Sequence, residues 1–220
     1  MTGIARPCIC LVTDRRQLSP DARTIADELH ALSRWIDQAA DLVDLIQIRE
    51  RDLEGARLLA LASDVVSRAK GTRTAVVVND RADVALAARA AGVHLRADGP
   101  AVERVRAIGP GGWIVGRSIH SVDEAATSGA DYVIFGTVFP SRSKREGLSQ
   151  GIEHLQAAAR ASRAPLLAIG GIDPGRAGEC WRAGAAGVAA IGLFLPEGRA
   201  PGSLGIARAV DALRAAMSSP

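Results

Sequence analysis

About eight times along the chain a short apolar run is followed by a stretch with helical periodicity, and nothing else in the sequence restricts the fold as much. The runs lie at residues 8–13, 42–49, 75–78, 92–95, 113–118, 132–137, 165–169 and 187–191. Several are continuously apolar, as in Ala75-Val76-Val77-Val78, which is the pattern of a parallel strand covered by helices on both faces. Between them apolar residues return at helical spacing. Ile25, Leu29, Leu32 and Ile36 do so from Asp21 to residue 40, Leu58, Leu61, Ala62 and Val65 within 52–70, and Val102, Val105 and Ile108 further on. Ser121-Val122-Asp123-Glu124 is a capping-box pattern that opens another helix. Strict alternation of strand and helix builds a parallel sheet, and eight units close it. The fold class read here is α/β: a single (β/α)8 TIM barrel domain over residues 1–220, with 1–6 and 215–220 loosely ordered.

Composition narrows the function. With 220 residues and 48% hydrophobic content, one sizeable core is affordable and two are not. No apolar run approaches the roughly 18 residues that span a bilayer, and residues 1–7 lack a signal peptide's apolar segment. The expectation is a cytoplasmic protein with no membrane partner. A net charge of +3 and 3% aromatics offer neither a phosphate-tracking stripe nor a stacking platform, so no nucleic-acid partner is expected. Cys8 and Cys10 alternate on a strand and read as small buried residues. Nearly every basic residue is Arg, the only lysines being Lys70 and Lys144. Apolar rim helices on a barrel suit pairing into a homodimer.

A barrel of this kind holds its active site at the C-terminal ends of the strands. Those ends carry Thr13, Gln47 with Arg49, Asn79 with Asp80, His94, Ser118 with His120, Thr137, and then two glycine turns, Gly170-Gly171 and Ile191-Gly192. Glycines at the end of a buried strand leave main-chain N–H groups bare, and Asp173-Pro174 suits an N-cap followed by the first helical residue. Two such turns late in the chain suit the phosphate site of a barrel. His120 is the sharpest candidate for proton transfer, because an imidazole can take and give a proton near neutrality. His94 reads either as a satisfied core histidine or as part of the barrel mouth. Arg49 and Arg51 alternate and so face one way, toward a phosphate or carboxylate or into rim salt bridges with Glu50 or Asp52. Lys144, with Ser141, lies in a basic small-residue loop over 140–150, either solvated or a lid that folds a cation onto phosphate.

Taken together, Gln47-Ile48-Arg49-Glu50-Arg51, Asn79-Asp80-Arg81, Gly116-Arg117-Ser118-Ile119-His120-Ser121, Phe135-Gly136-Thr137-Val138-Phe139-Pro140 with Lys144, and Ala168-Ile169-Gly170-Gly171-Ile172 resemble the thiamine phosphate synthase superfamily. The superfamily has a synthase branch and a TenI-type thiazole tautomerase branch. The synthase pattern implies Gln47 and Asn79 on a pyrimidine, Arg49 and a lysine on its diphosphate, Asp80 and a second aspartate on Mg2+, and Lys144 with Ser141 near the phosphates. Arg51 stands where that lysine would be. The His-Leu-Gly-Gln-x-Asp pattern of the synthases is here His94-Leu95-Arg96-Ala97-Asp98-Gly99, so Gly99 occupies the second aspartate's place and Asp98 comes one residue early. Gly192 stands where both branches usually have serine.

The tautomerase branch is the closer resemblance on Arg49-Glu50-Arg51 and on residues 116–121. It implies a metal-free proton shift giving an aromatic thiazole carboxylate phosphate, with His120 as shuttle, Arg49 or Arg51 on the carboxylate, and Gly170, Gly171, Ile191 and Gly192 around the phosphate. Ser118 and Thr137 join the substrate-binding set. Thiazole tautomerase is thus the first expectation, with no cofactor. The alternative is thiamine phosphate synthase, joining hydroxymethylpyrimidine diphosphate to thiazole phosphate with Mg2+ on Asp80. A non-catalytic sensor of thiazole or thiamine phosphates is the third.

Overall fold

The computed structural model describes residues 4–140 and 149–218. Its first half runs β1 (Cys8–Val12), α1 (Arg15–Leu18), α2 (Ile25–Ala39), β2 (Leu45–Ile48), α3 (Gly55–Ala69), β3 (Ala75–Asn79), α4 (Ala82–Ala87), β4 (Gly92–Leu95) and α5 (Val102–Ile108). The second half runs β5 (Ile114–Ile119), α6 (Val122–Thr127), β6 (Tyr132–Gly136), α7 (Gly151–Ala161), β7 (Leu166–Ile169), α8 (Pro174–Arg182), β8 (Gly187–Ala190), a 3₁₀ turn (Gly192–Phe194) and α9 (Ile206–Ser218). The eight strands form one closed parallel barrel in sequence order. The seam sets Cys8, Ile9, Cys10 and Leu11 of β1 beside Gly187, Val188, Ala189 and Ala190 of β8. The expected (β/α)8 barrel is therefore the observed fold. Among the described residues no helix is long and apolar enough to cross a membrane.

Side chains alternate across each strand and sort into two cores. Outward residues such as Ile9, Leu11, Ile46, Val76, Val78 and Phe135 pack with the apolar stripes of the helices, among them Leu32, Ile36, Leu61 and Val65. Inward residues, Cys8, Cys10, Val12, Leu45, Val77, Tyr132, Ile134 and Leu167, fill the lumen. Both faces are thus dry, which is why the runs lack alternation. Gly116 belongs to the inward set, and a Cβ there would lie 2.2 Å from the Tyr132 ring, so its absence makes the space the tyrosine fills. The cysteines are free and buried, and burial pushes the Cys8 thiol up to about 12, so it stays protonated.

Local chemistry moved several boundaries. The helix expected from Asp21 begins at Ile25, because Thr24 accepts from the Asp27 N–H while Asp27 accepts from that of Thr24. Residues 52–54 precede α3, since Asp52 is engaged elsewhere by Arg15. Ser121 caps α6 by accepting from the Glu124 N–H, but the Glu124 carboxylate reaches the His120 N–H, leaving the box half formed. Asp173 caps α8 with Pro174 at its first position, as the sequence indicates. The last helix extends to Ser218, with Met217 buried.

Candidate active site

The inward positions at the ends of β2 to β5 carry the polar side chains. Gln47, Asn79, His94 and Ser118 line one cavity in the mouth of the barrel, and Arg49, Arg51 and His120 close it from just beyond the strand ends. Arg96, Val12, Ile134, Gly136 and Ile169 complete the wall. Sequence reading missed Arg96, although it follows His94 by two and so shares its inward parity.

A row of hydrogen bonds fixes one side. Gln47 Nε2 donates to Asn79 Oδ1 at 2.8 Å, and Asn79 Nδ2 donates to Asp80 Oδ2 at 2.9 Å. Asp80 Oδ1 accepts from the Arg96 N–H at 2.9 Å. Asp80 stands in the left-handed region with φ 61°, which Asp and Asn tolerate better than other side chains.

Arg49 and Arg51 meet no acidic partner among the described residues. Arg49 is anchored through its N–H, which donates to Thr13 Oγ1 at 2.9 Å. The rim salt bridges open to Arg49 and Arg51 do not form, because their acidic neighbours turn away. Glu50 accepts from Arg15 N at 3.1 Å and Arg15 Nη1 at 2.9 Å, and Asp52 from Arg15 Nη1 at 2.7 Å and Nη2 at 2.6 Å. Arg15 Nε also lies 2.7 Å from Glu28 Oε2, out of line for a hydrogen bond. Arg15 is itself buried, and nothing in its sequence context marks it apart from Arg16. Among the described residues neither Arg49 nor Arg51 pairs with a carboxylate. Burial and the charge of Arg51 lower the pKa of Arg49 from its ordinary value, an electrostatic cost that a bound anion would relieve.

The two histidines differ. His120 Nδ1 lies 2.7 Å from the Gly136 carbonyl, which can only accept, so the proton sits on Nδ1 and Nε2 of the neutral ring is a bare lone pair. His94 is fully buried, with Nδ1 3.0 Å from Tyr132 Oη and Nε2 2.9 Å from Ser118 Oγ. It is both a satisfied interior histidine and a wall of the mouth. Burial first, then the charge of Arg49, lowers its pKa to about 3. Between the ordinary value near 6.5 and 3, the unfolded chain binds a proton that the fold refuses, so stability rises with pH there. Urea midpoints of the wild type are therefore expected to fall more steeply from pH 6.5 to 4 than those of His94→Gln. The extra slope approaches about 1.4 kcal/mol per pH unit, and parallel slopes would contradict the buried neutral ring.

The expected phosphate turns are only partly alike. Gly170 and Gly171 have φ 102° and 62°, and Cβ atoms there would lie 2.3 Å from Thr137 Cγ2 and 2.5 Å from the Pro140 carbonyl. Glycine is therefore needed in both places. Thr137 is buried against this turn and does not line the cavity. Gly192 opens the 3₁₀ turn after Ile191 with open space around its Cβ position. Among the described residues the N–H groups of Gly171 and Gly192 donate to no protein acceptor, which leaves them for an anion. These turns border the mouth beside Ile169 without lining the cavity itself. Ser141 and Lys144 lie outside the described residues.

For a divalent ion the described residues supply one carboxylate beside the mouth, Asp80. The Asp98 side chain is 81% exposed and pairs with Arg96 Nε at 2.9 Å. Arg117 fixes that loop by donating to the carbonyls of Ala97, Gly99 and Pro100. Among the described residues no cluster of three His, Cys, Asp or Glu side chains forms a preassembled metal site.

Residues 10–194 match the sequence profile of the family described as Thiamine monophosphate synthase. A thiamine-phosphate synthase of Chlorobium luteolum is 39% identical over 189 residues, 84% of each chain. One from Methanoculleus marisnigri is 40% identical over 164 residues, covering 73% of this chain and 78% of that one. A thiamine phosphate pyrophosphorylase structure from Pyrococcus furiosus superposes with a TM-score of 0.77 at 27% identity, over 96% of this chain and 95% of that one. These relatives bear synthase names, so they support the superfamily resemblance but not its tautomerase branch. The chain belongs to the thiamine monophosphate synthase family of enzymes.

Proposed function

We propose that the protein is a thiamine phosphate synthase, joining hydroxymethylpyrimidine diphosphate to thiazole phosphate and releasing pyrophosphate. The observation that carries this reading is the pair Arg49 and Arg51, which meet no carboxylate among the described residues, beside the hydrogen-bonded row Gln47, Asn79 and Asp80. As the bond from the pyrimidine methylene to the diphosphate breaks and a bond to the thiazole forms, negative charge builds on the departing group. Guanidinium groups already at the cavity wall would stabilise that charge with little reorganisation. The two amides offer donors and acceptors in fixed order to the edge of a pyrimidine ring. The N–H groups of Gly171 and Gly192, at the turns Gly170-Gly171 and Ile191-Gly192, suit the thiazole's phosphate.

One carboxylate fits a Mg2+ ion that is held mainly by diphosphate oxygens and water, a common mode for this ion. Asp80 would hold it, and the ion would supply charge neutralisation to the leaving group.

The relatives' names favour the synthase over the tautomerase and leave the sensor without support. One observation favours a tautomerase as the second reading: the bare Nε2 of His120 at the cavity wall, placed to accept a proton. Incubating the purified protein with both precursors, with and without Mg2+, is expected to yield thiamine phosphate and pyrophosphate only with the ion. No product at high enzyme concentration would overturn the synthase reading. Conversion of the non-aromatic thiazole carboxylate phosphate alone, lost in His120→Asn, would establish the tautomerase instead.

A further inference from the structure

Tyr132, the chain's one tyrosine, is wholly buried in the lumen and takes no part in the chemistry above, yet its hydroxyl is in contact with the cavity wall through His94. We propose that Tyr132 and His94 form a buried proton-ordering relay that makes Ser118 a hydrogen-bond donor to whatever occupies the mouth. Tyr132 Oη donates to His94 Nδ1, His94 Nε2–H donates to Ser118 Oγ, and the Ser118 O–H points its proton into the cavity.

The assignment follows from counting donors and acceptors. Among the described residues Tyr132 Oη has a single partner, His94 Nδ1 at 3.0 Å. Were Nδ1 the protonated nitrogen, the tyrosine proton would be left without an acceptor inside a dry lumen packed by Cys8, Cys10 and Ile134. With Nδ1 bare, the tyrosine is satisfied and the ring's one proton falls on Nε2, 2.9 Å from Ser118 Oγ. Ser118 then accepts from the protein, and among the described residues its hydroxyl has no other partner, so its own proton is available only to the cavity that it lines. A doubly protonated ring would again strand the tyrosine proton, and burial opposes that charge. His94 therefore acts as a positioning residue and not as a base on the serine, the opposite of a nucleophile-activating pair. Gly116 belongs to the same device, since its missing Cβ admits the Tyr132 ring beneath His94.

The consequence for recognition is that Ser118 selects an acceptor, such as a phosphoryl oxygen or a ring nitrogen. That ligand class rests on the synthase reading, whereas the proton order does not. Long-range ¹⁵N–¹H correlation spectra of histidine-labelled protein, with His94→Gln used to assign the signal, are expected to show His94 neutral and protonated on Nε2 from pH 5 to 8. In Tyr132→Phe the signal is expected to shift at Nδ1, reporting loss of the donated proton. A wild-type ring protonated on Nδ1, or one titrating near neutrality, would overturn the relay. Inorganic pyrophosphate, titrated calorimetrically, is expected to bind Ser118→Ala about 10- to 100-fold more weakly than wild type, the range for one hydrogen bond to a charged group. Should wild type bind no pyrophosphate while His94 keeps its Nε2 proton, the synthase reading fails and the relay stands.

Discussion

Arg15→Met is expected to lower the stability of the protein by about 3–5 kcal/mol at pH 8, the usual cost of removing one partner from a buried ion pair. Arg15 and Glu50 each have side chains only 2% exposed, and Glu50 spends its carboxylate on Arg15. Without the guanidinium, that carboxylate is left charged in a dry site whose burial already raises its pKa from the ordinary value. Glu50 will take up a proton to escape the penalty. Its folded pKa then lies above the unfolded one, so the deficit is least in acid and grows as pH rises through the folded value. Urea denaturation at pH 5 and pH 8 should show this widening, and Arg15→Met combined with Glu50→Gln should recover part of the loss. A deficit under about 1 kcal/mol at both pH values would mean that the cluster is neutral packing. The functional readout is separate: Arg49 and Arg51 flank Glu50, so on the synthase reading freeing the glutamate should raise KM for the pyrimidine diphosphate more than it lowers kcat.

On the synthase reading, Asp80→Asn is expected to reduce Mg2+-dependent coupling by about 100-fold or more, since a difference of several kcal/mol in charge stabilisation translates at tenfold per 1.4 kcal/mol. Asn tolerates the left-handed backbone at this position and its oxygen can still accept from the Arg96 N–H, while its amide nitrogen costs Asn79 Nδ2 the acceptor it has in Asp80, so the Mg2+ concentration dependence, and not the rate alone, is the readout that reports on the metal. The fold should persist, while the Mg2+ concentration for half-maximal rate moves upward. Binding of thiazole phosphate should change by less than about twofold. Unchanged Mg2+ dependence would remove Asp80 from the metal.

How much of this was legible beforehand follows from what a single strand reveals. The barrel could be read because each strand is apolar on both faces and each helix keeps its stripe, which are local properties. Gln47, Asn79 and Ser118 could be read because strand ends become polar where solvent and substrate meet. Arg15 could not, since its value lies in Glu28, Glu50 and Asp52, which only folding brings to it. The same holds for the orientation of Arg49 and Arg51: alternation set them on one side, but whether Glu50 and Asp52 neutralised them depended on a partner some 35 residues away. Thr137 shows the converse. A hydroxyl at a strand end reads as a ligand, and here it packs against Gly170. The choice between synthase and tautomerase rests on chemistry that both branches share at this mouth, so the weight there came from relatives.

The seam of the barrel bears on how the protein is made. Residues 8–11 of β1 need β8 as a neighbour, so the first strand to emerge from a ribosome keeps an unsatisfied edge until the last has been synthesised. At ordinary elongation rates that interval is roughly 10–40 s. Throughout it the nascent chain presents an unpaired, oily ribbon, and the period of greatest exposure to clumping or to chaperone capture ends only when translation has passed Ala190.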